Sequence, residues 1–414
     1  MYSHILVALD GSEASDCAGQ AALAIAAATG ARLTVCHVYG VGIHRQRFGA
    51  MEPGLPSKYQ QTETLDDLRE AHDRLMDEGF RALSTGYVED LVNLAKGKGV
   101  TAKAVTMEGR NYVGILRLAE TLRADLIAVG ADGLGAVGDG MLGGTTARVL
   151  QAAPCDVFVA RRVPDGGPII AGVDGSHQAL EAVSKATKLG KAMGKAVQAV
   201  AVYDPDFHTR VFGVMAHSLS PECQEEVGLA NQEQLHDDII NDGLGKLYTD
   251  FLSVAKQRYG DKGMALETIL LTGKAYCALN QQAIESHADL IVVGRYGHHI
   301  EPGSILGSNA DGVLRRSSTN VLLVGRVATD GKPPVMAGMA KEILGQSENV
   351  DAGDSVVWDE QARARLQRVP SFARSMARKA VENAVRKEGK HTVSAEDFNQ
   401  VAAQFGMGPG KSDA

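Results

Sequence analysis

Cysteine is scarce in this chain and follows no metal-binding or disulfide pattern. The 414 residues contain five cysteines, with no CxxC pair and no run of cysteines and histidines at ligand spacing. A disulfide framework, a zinc site and an iron–sulfur cluster are therefore not predicted, and reduced thiols are expected. The five are Cys17, Cys36, Cys155, Cys223 and Cys277.

Long apolar runs and excess positive charge are also lacking. No stretch of about 18 apolar residues occurs. The strand pattern at His4–Leu9 is not preceded by a basic segment and an apolar leader. The formal net charge of −8 argues against a general nucleic-acid binder. We expect a cytoplasmic protein with no membrane partner and no specific nucleic-acid partner.

Catalytic signatures are missing as well. The sequence has no nucleophile elbow, no Walker-type phosphate loop and no carboxylate pair placed as acid and base. The chain is therefore predicted not to be an enzyme.

A pattern of three glycines, by contrast, occurs twice at a constant offset. The motif Asp-Gly-Ser at residues 10–12 also recurs at 174–176, which is 164 residues later, and no gap is needed between them. Two copies of one fold, each with a site at the same place, are therefore predicted. The two glycine sets, separated by the same offset, are Gly130, Gly133 and Gly143, and Gly294, Gly297 and Gly307.

Both copies alternate short apolar runs with helical patterns, which predicts a parallel sheet covered on both faces. We expect two tandem, doubly wound sheets of five strands. The predicted strands are 5–9, 33–39, 102–107, 125–129 and 156–160, then 169–173, 197–203, 266–271, 289–293 and 321–324. The predicted helices are 18–29, 64–96, 112–122 and 145–151, then 179–193, 233–259 and 276–286.

The repeated motifs follow strands, so we expect them at the carboxyl edge of the sheet, where such folds bind ligands. Glycine lets backbone amides approach a phosphate, and a helix start adds amide donors. Ser308 would add a hydroxyl donor. The alternative interpretation is that the glycines form ordinary strand-to-helix turns.

Glycine spacing, the Ser after the last glycine and the Asp after the first strand together resemble the nucleotide-binding universal stress proteins. The resemblance covers residues 1 to about 326 and implies an adenine nucleotide alpha hydrolase-like fold with ATP as the ligand; whether Mg²⁺ accompanies ATP stays open. We place the two domains at 1–163 and 164–327.

The resemblance also implies site residues. In the second copy Asp174 would contact the adenosine end or the metal region, Val202 the base, and the glycine loop the phosphates. That site comprises Asp174, Val202, Val293, Gly294, Gly297, Gly307, Ser308 and Asn309. The corresponding, weaker site comprises Asp10, Val38, Val129, Gly130, Gly133, Gly143, Gly144 and Thr145.

Departures from the pattern favour the second site. Gly144 stands where the second copy has Ser308, and the carboxylate of Asp132 stands where it has Tyr296, beside Arg295. A carboxylate near phosphates weakens binding. The neighbouring pair at 298–299, His298 and His299, either contacts the ligand or a metal, or is a solvated loop pair, which we favour.

Universal stress proteins commonly pair through their last strands. A tandem chain would make this pairing internally, between Val157–Ala160 and Val321–Val324, because apolar edge strands invite pairing. Two independent domains are the alternative, and further homodimerisation stays open.

Residues 328–354 are predicted to be a linker and 355–408 a small helical domain. Ser394 and Asp397 resemble a capping box that opens its last helix. Between Trp358 and Lys390 nine basic and four acidic residues give +5 in an acidic protein, which indicates a docking surface or simply a solvated face. The segment resembles the C-terminal domain of light-independent protochlorophyllide reductase subunits.

Two functions follow as expectations. In the first, ATP bound to the second domain regulates a stress response and the helical domain docks a protein partner. In the second, the chain is a nucleotide-independent scaffold or adaptor for a redox enzyme complex, acting through residues 355–408. An enzyme of the wider superfamily would need an acceptor substrate, and no feature identifies one.

Overall fold

The structure is a computed structural model. It describes residues 1–40, 42, 47, 49–56, 59, 62–135, 141–229, 243–260, 266–298, 305–326, 357–368, 378, 381–382, 384–385, 390 and 392–404. The chain divides into two compact units, of which one holds residues 1–206 and 243–342 and the other 207–242 and 343–414.

The first repeat alternates strands and helices in the expected order. Its strands are β1 (His4–Ala8), β2 (Arg32–Tyr39), β3 (Ala102–Glu108), β4 (Leu126–Gly130) and β5 (Asp156–Ala160). Its helices are α1 (Glu13–Thr29), α2 (Thr62–Gly97), α3 (Asn111–Leu122) and α4 (Gly144–Ala152), with a short 3-10 turn at Glu52–Gly54.

The second repeat follows the same order. Its strands are β6 (Ile169–Val173), β7 (Val197–Tyr203), β8 (Leu266–Thr272), β9 (Leu290–Gly294) and β10 (Asn320–Val324). Its helices are α5 (His177–Met193), α6 (Pro205–His217), α7 (Pro221–Glu226), α8 (Gly245–Tyr259), α9 (Ala275–Glu285) and α10 (Ser308–Arg316).

Local sequence explains the first helix of each repeat. The side chain of Ser12 accepts the amide of Ser15 at the start of α1, and Ser176 accepts that of Ala179 at the start of α5. Both helices end at a glycine in the left-handed region, where other residues are strained. The repeated signals therefore set equivalent helices in both copies.

The two halves form one ten-stranded sheet, in the order β3-β2-β1-β4-β5-β10-β9-β6-β7-β8. Every neighbouring pair is parallel except β5 and β10, which are antiparallel, with Phe158 opposite Leu322. The internal pairing predicted between the last strands is present. Both five-stranded, doubly wound halves thus share one continuous sheet.

Polar side chains at the central strands reinforce this junction. In β5 Asp156 accepts the amide of Gly325 at 2.9 Å and the ammonium of Lys185 at 2.7 Å. In β10 the equivalent residue, Asn320, accepts the amides of Arg161 and Arg162 at 2.8 and 3.1 Å. Each half therefore supplies acceptors for the chain that leaves the other half.

The variable part of the second repeat departs from the sequence prediction. A helix was predicted over 233–259; α8 covers Gly245–Tyr259, and residues 233–242 of that prediction lie outside the described residues. Helices α6 and α7 were not predicted from the sequence. Among the described helices, none combines the length and the apolarity needed to cross a bilayer.

The C-terminal segment of the other unit has a small core of its own. Its elements are β11 (Val357–Trp358), α11 (Glu360–Arg368), β12 (Thr392–Val393) and α12 (Ala395–Gln404). Residues 355–408 were predicted to be helical, but Trp358 lies in β11, which pairs with β12 in parallel. The core residues are Trp358, Ala362, Val381, Val385, Val393, Phe398 and Val401.

The predicted capping box is present in this segment. The side chain of Ser394 accepts the amide of Asp397 at 3.2 Å, and the Asp397 carboxylate accepts the amide of Ser394 at 2.8 Å. These reciprocal bonds satisfy two donors at the start of α12.

Candidate functional site

The eight positions predicted in the second repeat all line one cavity of about 210 Å³, the second cavity. It lies at the carboxyl ends of β6, β7 and β9, against the start of α10. Strand ends and a helix start thus meet as the doubly wound topology predicts. Those residues are Asp174, Val202, Val293, Gly294, Gly297, Gly307, Ser308 and Asn309.

The first repeat has an equivalent cavity of about 470 Å³, the first cavity. All eight of its predicted positions line it: Asp10, Val38, Val129, Gly130, Gly133, Gly143, Gly144 and Thr145. The geometry brings both residue sets together, and ligand binding by either set stays a prediction. The cavity predicted to be weaker is the larger one.

The aspartate after the first strand explains the second glycine of each motif. One Asp174 oxygen accepts the amide of Ser176 at 2.9 Å. The other would lie 2.5 Å from a Cβ placed at Gly297, and Asp10 stands equally close to Gly133. Any larger residue at these glycines would displace the carboxylate, whatever the ligand.

The first glycine of each motif lets a helix approach the end of a strand. A Cβ at Gly130 would lie 2.7 Å from the backbone nitrogen of Ser15, and one at Gly294 would lie 2.8 Å from Cβ of Gln178. These glycines therefore have a packing role, as the alternative interpretation of the motif holds. A ligand role remains for the last glycine and the helix start behind it.

The helix starts offer amide donors to each cavity. Gly307 and Gly143 are the N-cap residues of α10 and α4. A glycine N-cap has no side chain to accept the first amides, so these can bind an anion. Ser308 and Asn309 are exposed at the start of α10. In α4 the hydroxyl of Thr146 donates to the carbonyl of Gly130 at 2.7 Å.

Three side chains that the sequence analysis missed distinguish the cavities. Tyr248 of α8 lines the second cavity, with its ring 5.9 Å from that of Tyr203. Its counterpart in the first repeat is Ser84, whose Oγ lies 2.8 Å from Nδ1 of His37, and His37 lines the first cavity. The 164-residue offset, applied to every position, would have revealed this exchange. A tyrosine replaces a serine, which helps to explain why the second cavity is smaller.

Burial and nearby carboxylates shift the pKa of two of these groups. Burial, followed by the charge of Asp174, raises the pKa of Tyr248. Burial lowers the pKa of His37, while the charge of Asp10 opposes that effect. The tyrosine thus stays a neutral phenol, and His37 favours the neutral imidazole.

The guanidinium of Arg295, the residue beside Tyr296, bonds backbone carbonyls outside the glycine loop. Its side chain is fully buried, and its guanidinium donates to the carbonyl of Gly325 at 2.9 Å and to that of Leu150. Tyr296 is also buried, with its amide donating to Gln178 Oε1 at 2.8 Å. Both residues therefore stabilise the glycine loop from its buried side.

His298 is not a solvated loop residue, contrary to the interpretation favoured from the sequence. It is half-buried, lines the second cavity and lies with its ring 5.6 Å from that of Phe251. Its neighbour His299 lies outside the described residues. Within the described part of the chain, no group of three or more acidic, histidine or cysteine residues is arranged to hold a metal ion.

Two family models match the chain. The model of the Universal stress protein family matches residues 1–161 and again residues 167–325. The model described as Proto-chlorophyllide reductase 57 kD subunit matches residues 358–401.

Individual proteins also match parts of this chain. A universal stress protein of Thermus aquaticus is 32% identical over 162 residues, which are 39% of this chain and 100% of that protein. A functionally unknown protein of Pseudomonas aeruginosa PAO1 has a TM-score of 0.51 at 16% identity, covers 78% of this chain and 93% of its own, and shares the fold. A universal stress protein solved in complex with cAMP is 26% identical over 39% of this chain and 98% of its own, with a TM-score of 0.26.

The family model spans both repeats, and both repeats form the same doubly wound half-sheet with a cavity at the same edge. The chain therefore belongs to the universal stress protein family, as a tandem pair of such domains followed by a C-terminal segment similar to the protochlorophyllide reductase subunit.

Proposed function

We propose that this chain binds an adenine nucleotide in the second cavity, with ATP as the first candidate, and acts as a regulatory stress-response protein. The observation that carries the proposal is the start of α10, where a glycine N-cap leaves the first amides open beside the hydroxyl of Ser308. Val202 and Val293 give the same cavity an apolar wall suited to a base. Phosphates would be held by the amides of 308–310 and by Ser308.

The second cavity is preferred because of the charges around its counterpart. Asp10 and Asp132 both line the first cavity, and two carboxylates disfavour a polyanionic ligand. The described residues lining the second cavity include one carboxylate, Asp174. The larger volume of the first cavity favours the opposite assignment, so the experiment must identify which cavity is filled.

The test is calorimetric titration of the full chain with ATP, AMP and cAMP, with and without Mg²⁺, together with mass spectrometry of any ligand that co-purifies. We expect one ATP per chain, and Ser308→Ala should weaken binding about two- to tenfold by removing one hydrogen bond. Thr145→Ala in the first repeat is the matched control and should leave the affinity unchanged. No binding at millimolar nucleotide, or a loss confined to Thr145→Ala, would contradict the proposal.

Glycine variants are poor probes of this site. A Cβ at Gly307 would lie 3.2 Å from the carbonyl oxygen of Arg295, so Gly307→Val would disturb the loop without any ligand. Ser308→Ala keeps the backbone intact and changes only the hydroxyl.

A scaffold function acting through the C-terminal segment is the second candidate. The segment has its own core around Trp358, and the indole of Trp358 donates to Glu382 at 2.9 Å. Its excess of basic residues suits an acidic protein surface. Cross-linking of the full chain, with and without ATP, separates the two functions: partner cross-links from 357–404 that are independent of ATP favour the scaffold, and ATP-dependent ones favour regulation.

A further inference from the structure

Two arginines, the half-buried Arg161 and the fully buried Arg295, reach across the junction between the repeats. Arg161 follows β5 in the first repeat, and its Nη2 donates to the carbonyl of Leu314 at 2.6 Å. Arg295 follows β9 in the second repeat, and its Nη1 donates to the carbonyl of Leu150. Each guanidinium therefore bonds a helix that belongs to the other repeat.

The two acceptor carbonyls lie at equivalent positions of the repeats, whereas the two arginines do not. Leu150 and Leu314 are related by the 164-residue offset, whereas the offset partners of Arg161 and Arg295 are Gly325 and Ala131. The same contact has thus been built from two different positions. Duplication of one ancestral arginine together with its repeat therefore does not explain both contacts.

Both carbonyls lie in the last turn of a short helix. Leu150 belongs to α4 and Leu314 to α10, each nine residues long. Carbonyls in a last turn lack partners within the helix, and a cation there complements the helix dipole. The starts of these helices, about 9 Å away along the axis, are the glycine-capped ends that line the two cavities.

Each arginine is also connected to the cavity of its own repeat. The backbone of Arg295 lines the second cavity, and its carbonyl accepts the amide of Gly307 at 2.8 Å. Arg161 follows Ala160, whose carbonyl accepts the amide of Ala131 at 2.7 Å, and the next residue, Asp132, lines the first cavity. The charge of Asp132 also partly offsets the lowering, by burial, of the pKa of the Arg161 guanidinium. A change at either cavity thus has a short route to the helix of the other.

We propose that Arg161 and Arg295 are positioning residues that couple the two cavities, each fixing the helix whose start faces the other repeat's ligand. The part that concerns ligand affinity rests on the proposed function. The first repeat then stabilises the second site, because Arg161 bonds the C-terminal end of α10. This holds even if the first cavity binds no nucleotide.

The first test is hydrogen exchange on the unliganded full chain. Arg161→Gln should make the amides of 311–316 in α10 exchange about fivefold faster, since one charge-assisted bond to the helix is lost. Arg162→Gln is the matched control: Arg162 leaves the same strand but donates to Ala288 at 2.7 Å and not to α10. It should leave α10 unchanged.

The second test is the affinity for ATP of the same variants. Arg161→Gln should raise the dissociation constant about fivefold, and Arg162→Gln should not. Arg161→Lys, which keeps the charge and one donor, should lie between wild type and Arg161→Gln, and it replaces the latter if that variant does not fold.

The outcomes separate this inference from the proposed function. Exchange in α10 that is equal in Arg161→Gln and Arg162→Gln, or that rises uniformly across the sheet, overturns the coupling. A wild-type chain that binds no nucleotide overturns the proposed function, while the exchange experiment still decides the coupling. If Arg161→Gln binds ATP with normal affinity, Arg161 does not position α10 for ligand binding.

Discussion

Ser308 and Gly144 occupy the same place in the two repeats, and the hydroxymethyl side chain of the serine distinguishes them. A Cβ placed at Gly144 meets no heavy atom within 4 Å among the described residues, so a larger residue fits there without strain. We expect Gly144→Ser to strengthen ATP binding in the first cavity about two- to tenfold, the effect of one added hydrogen bond.

Calorimetry checks this prediction through the stoichiometry, which should move from one towards two ATP per chain. Gly135→Ser is the control, since Gly135 lines the same cavity in equally open space. Equal binding by wild type and Gly144→Ser would mean that the hydroxyl does not distinguish the cavities.

His37 gives the first repeat a pH dependence that the second repeat lacks at the equivalent position, Ala201. Burial holds the folded-state pKa of His37 below its usual 6.5. Between the folded and unfolded pKa values the unfolded chain binds more protons, so stability is lost as the pH falls below about 6.5. Above that pH, His37 does not make the folding stability depend on pH.

We therefore expect His37→Asn to flatten the decline of the melting temperature between pH 7 and pH 5. Part of the slope should remain, because burial lowers the pKa of His4 too. The exposed His177 provides the control, and His177→Asn should keep the wild-type slope. An unchanged slope in His37→Asn would count against a buried, neutral imidazole.

Sequence reasoning located residues whose position depends on the backbone and misjudged residues whose environment depends on burial. The family resemblance implied the sixteen cavity positions, and the 164-residue offset related the two sets; the structure places each set around a cavity, and their ligand role stays a prediction. The burial of Arg295 could not be foreseen, since a cation beside a glycine loop is ordinarily solvated. Tyr248 was missed because its helix follows a segment that differs between the repeats.

At the scale of single elements, the start of α12 rests on one reciprocal pair of hydrogen bonds. A hydrogen bond from Lys390, with others from Ser394, lowers the pKa of Asp397 to about 2. The carboxylate therefore stabilises the folded segment above its usual pKa of 3.8, and that contribution is lost as the pH falls towards 2.

We expect Asp397→Asn to cost about 1 kcal/mol at neutral pH, as the loss of a cap commonly does. Trp358 is the single tryptophan and is buried in this core, so its fluorescence during urea unfolding reports on the segment. Glu396→Gln changes an exposed neighbour and should leave the transition in place. A similar shift in both variants would argue against the capping role.

Element prediction was most accurate where both repeats carry the same signal. The ten strands of the main sheet were anticipated because buried apolar runs recur at a fixed offset. Strand β11, two residues long, has no periodic pattern to detect, and the lone tryptophan favoured a helical interpretation. Helices α6 and α7 lie in a segment for which no helix was predicted from the sequence.

At the scale of the molecule, the junction between the repeats is the feature that both halves depend on. Asp156 is buried there and accepts bonds from Tyr2, Lys185 and Gly325. Removal of a buried partner of this kind leaves an uncompensated charge and commonly costs about 3 kcal/mol or more.

We expect Asp156→Ala to lower the melting temperature of the whole ten-stranded sheet in one transition, followed by circular dichroism. Asp311→Ala removes the largely exposed pair with Arg315 and should cost at most about 1 kcal/mol. Two separate transitions in Asp156→Ala would indicate halves that fold independently of their junction.

The antiparallel pairing of β5 with β10 also has an evolutionary consequence. In a homodimer joined at this strand, every substitution appears on both sides of the interface at once. Here one chain supplies both sides, so each side can mutate alone. Natural selection can then keep Ser308 in one repeat while the equivalent position of the other repeat is Gly144. It can also use Arg161 and Arg295, which are not at equivalent positions. A symmetric dimer could not make either change on one side alone.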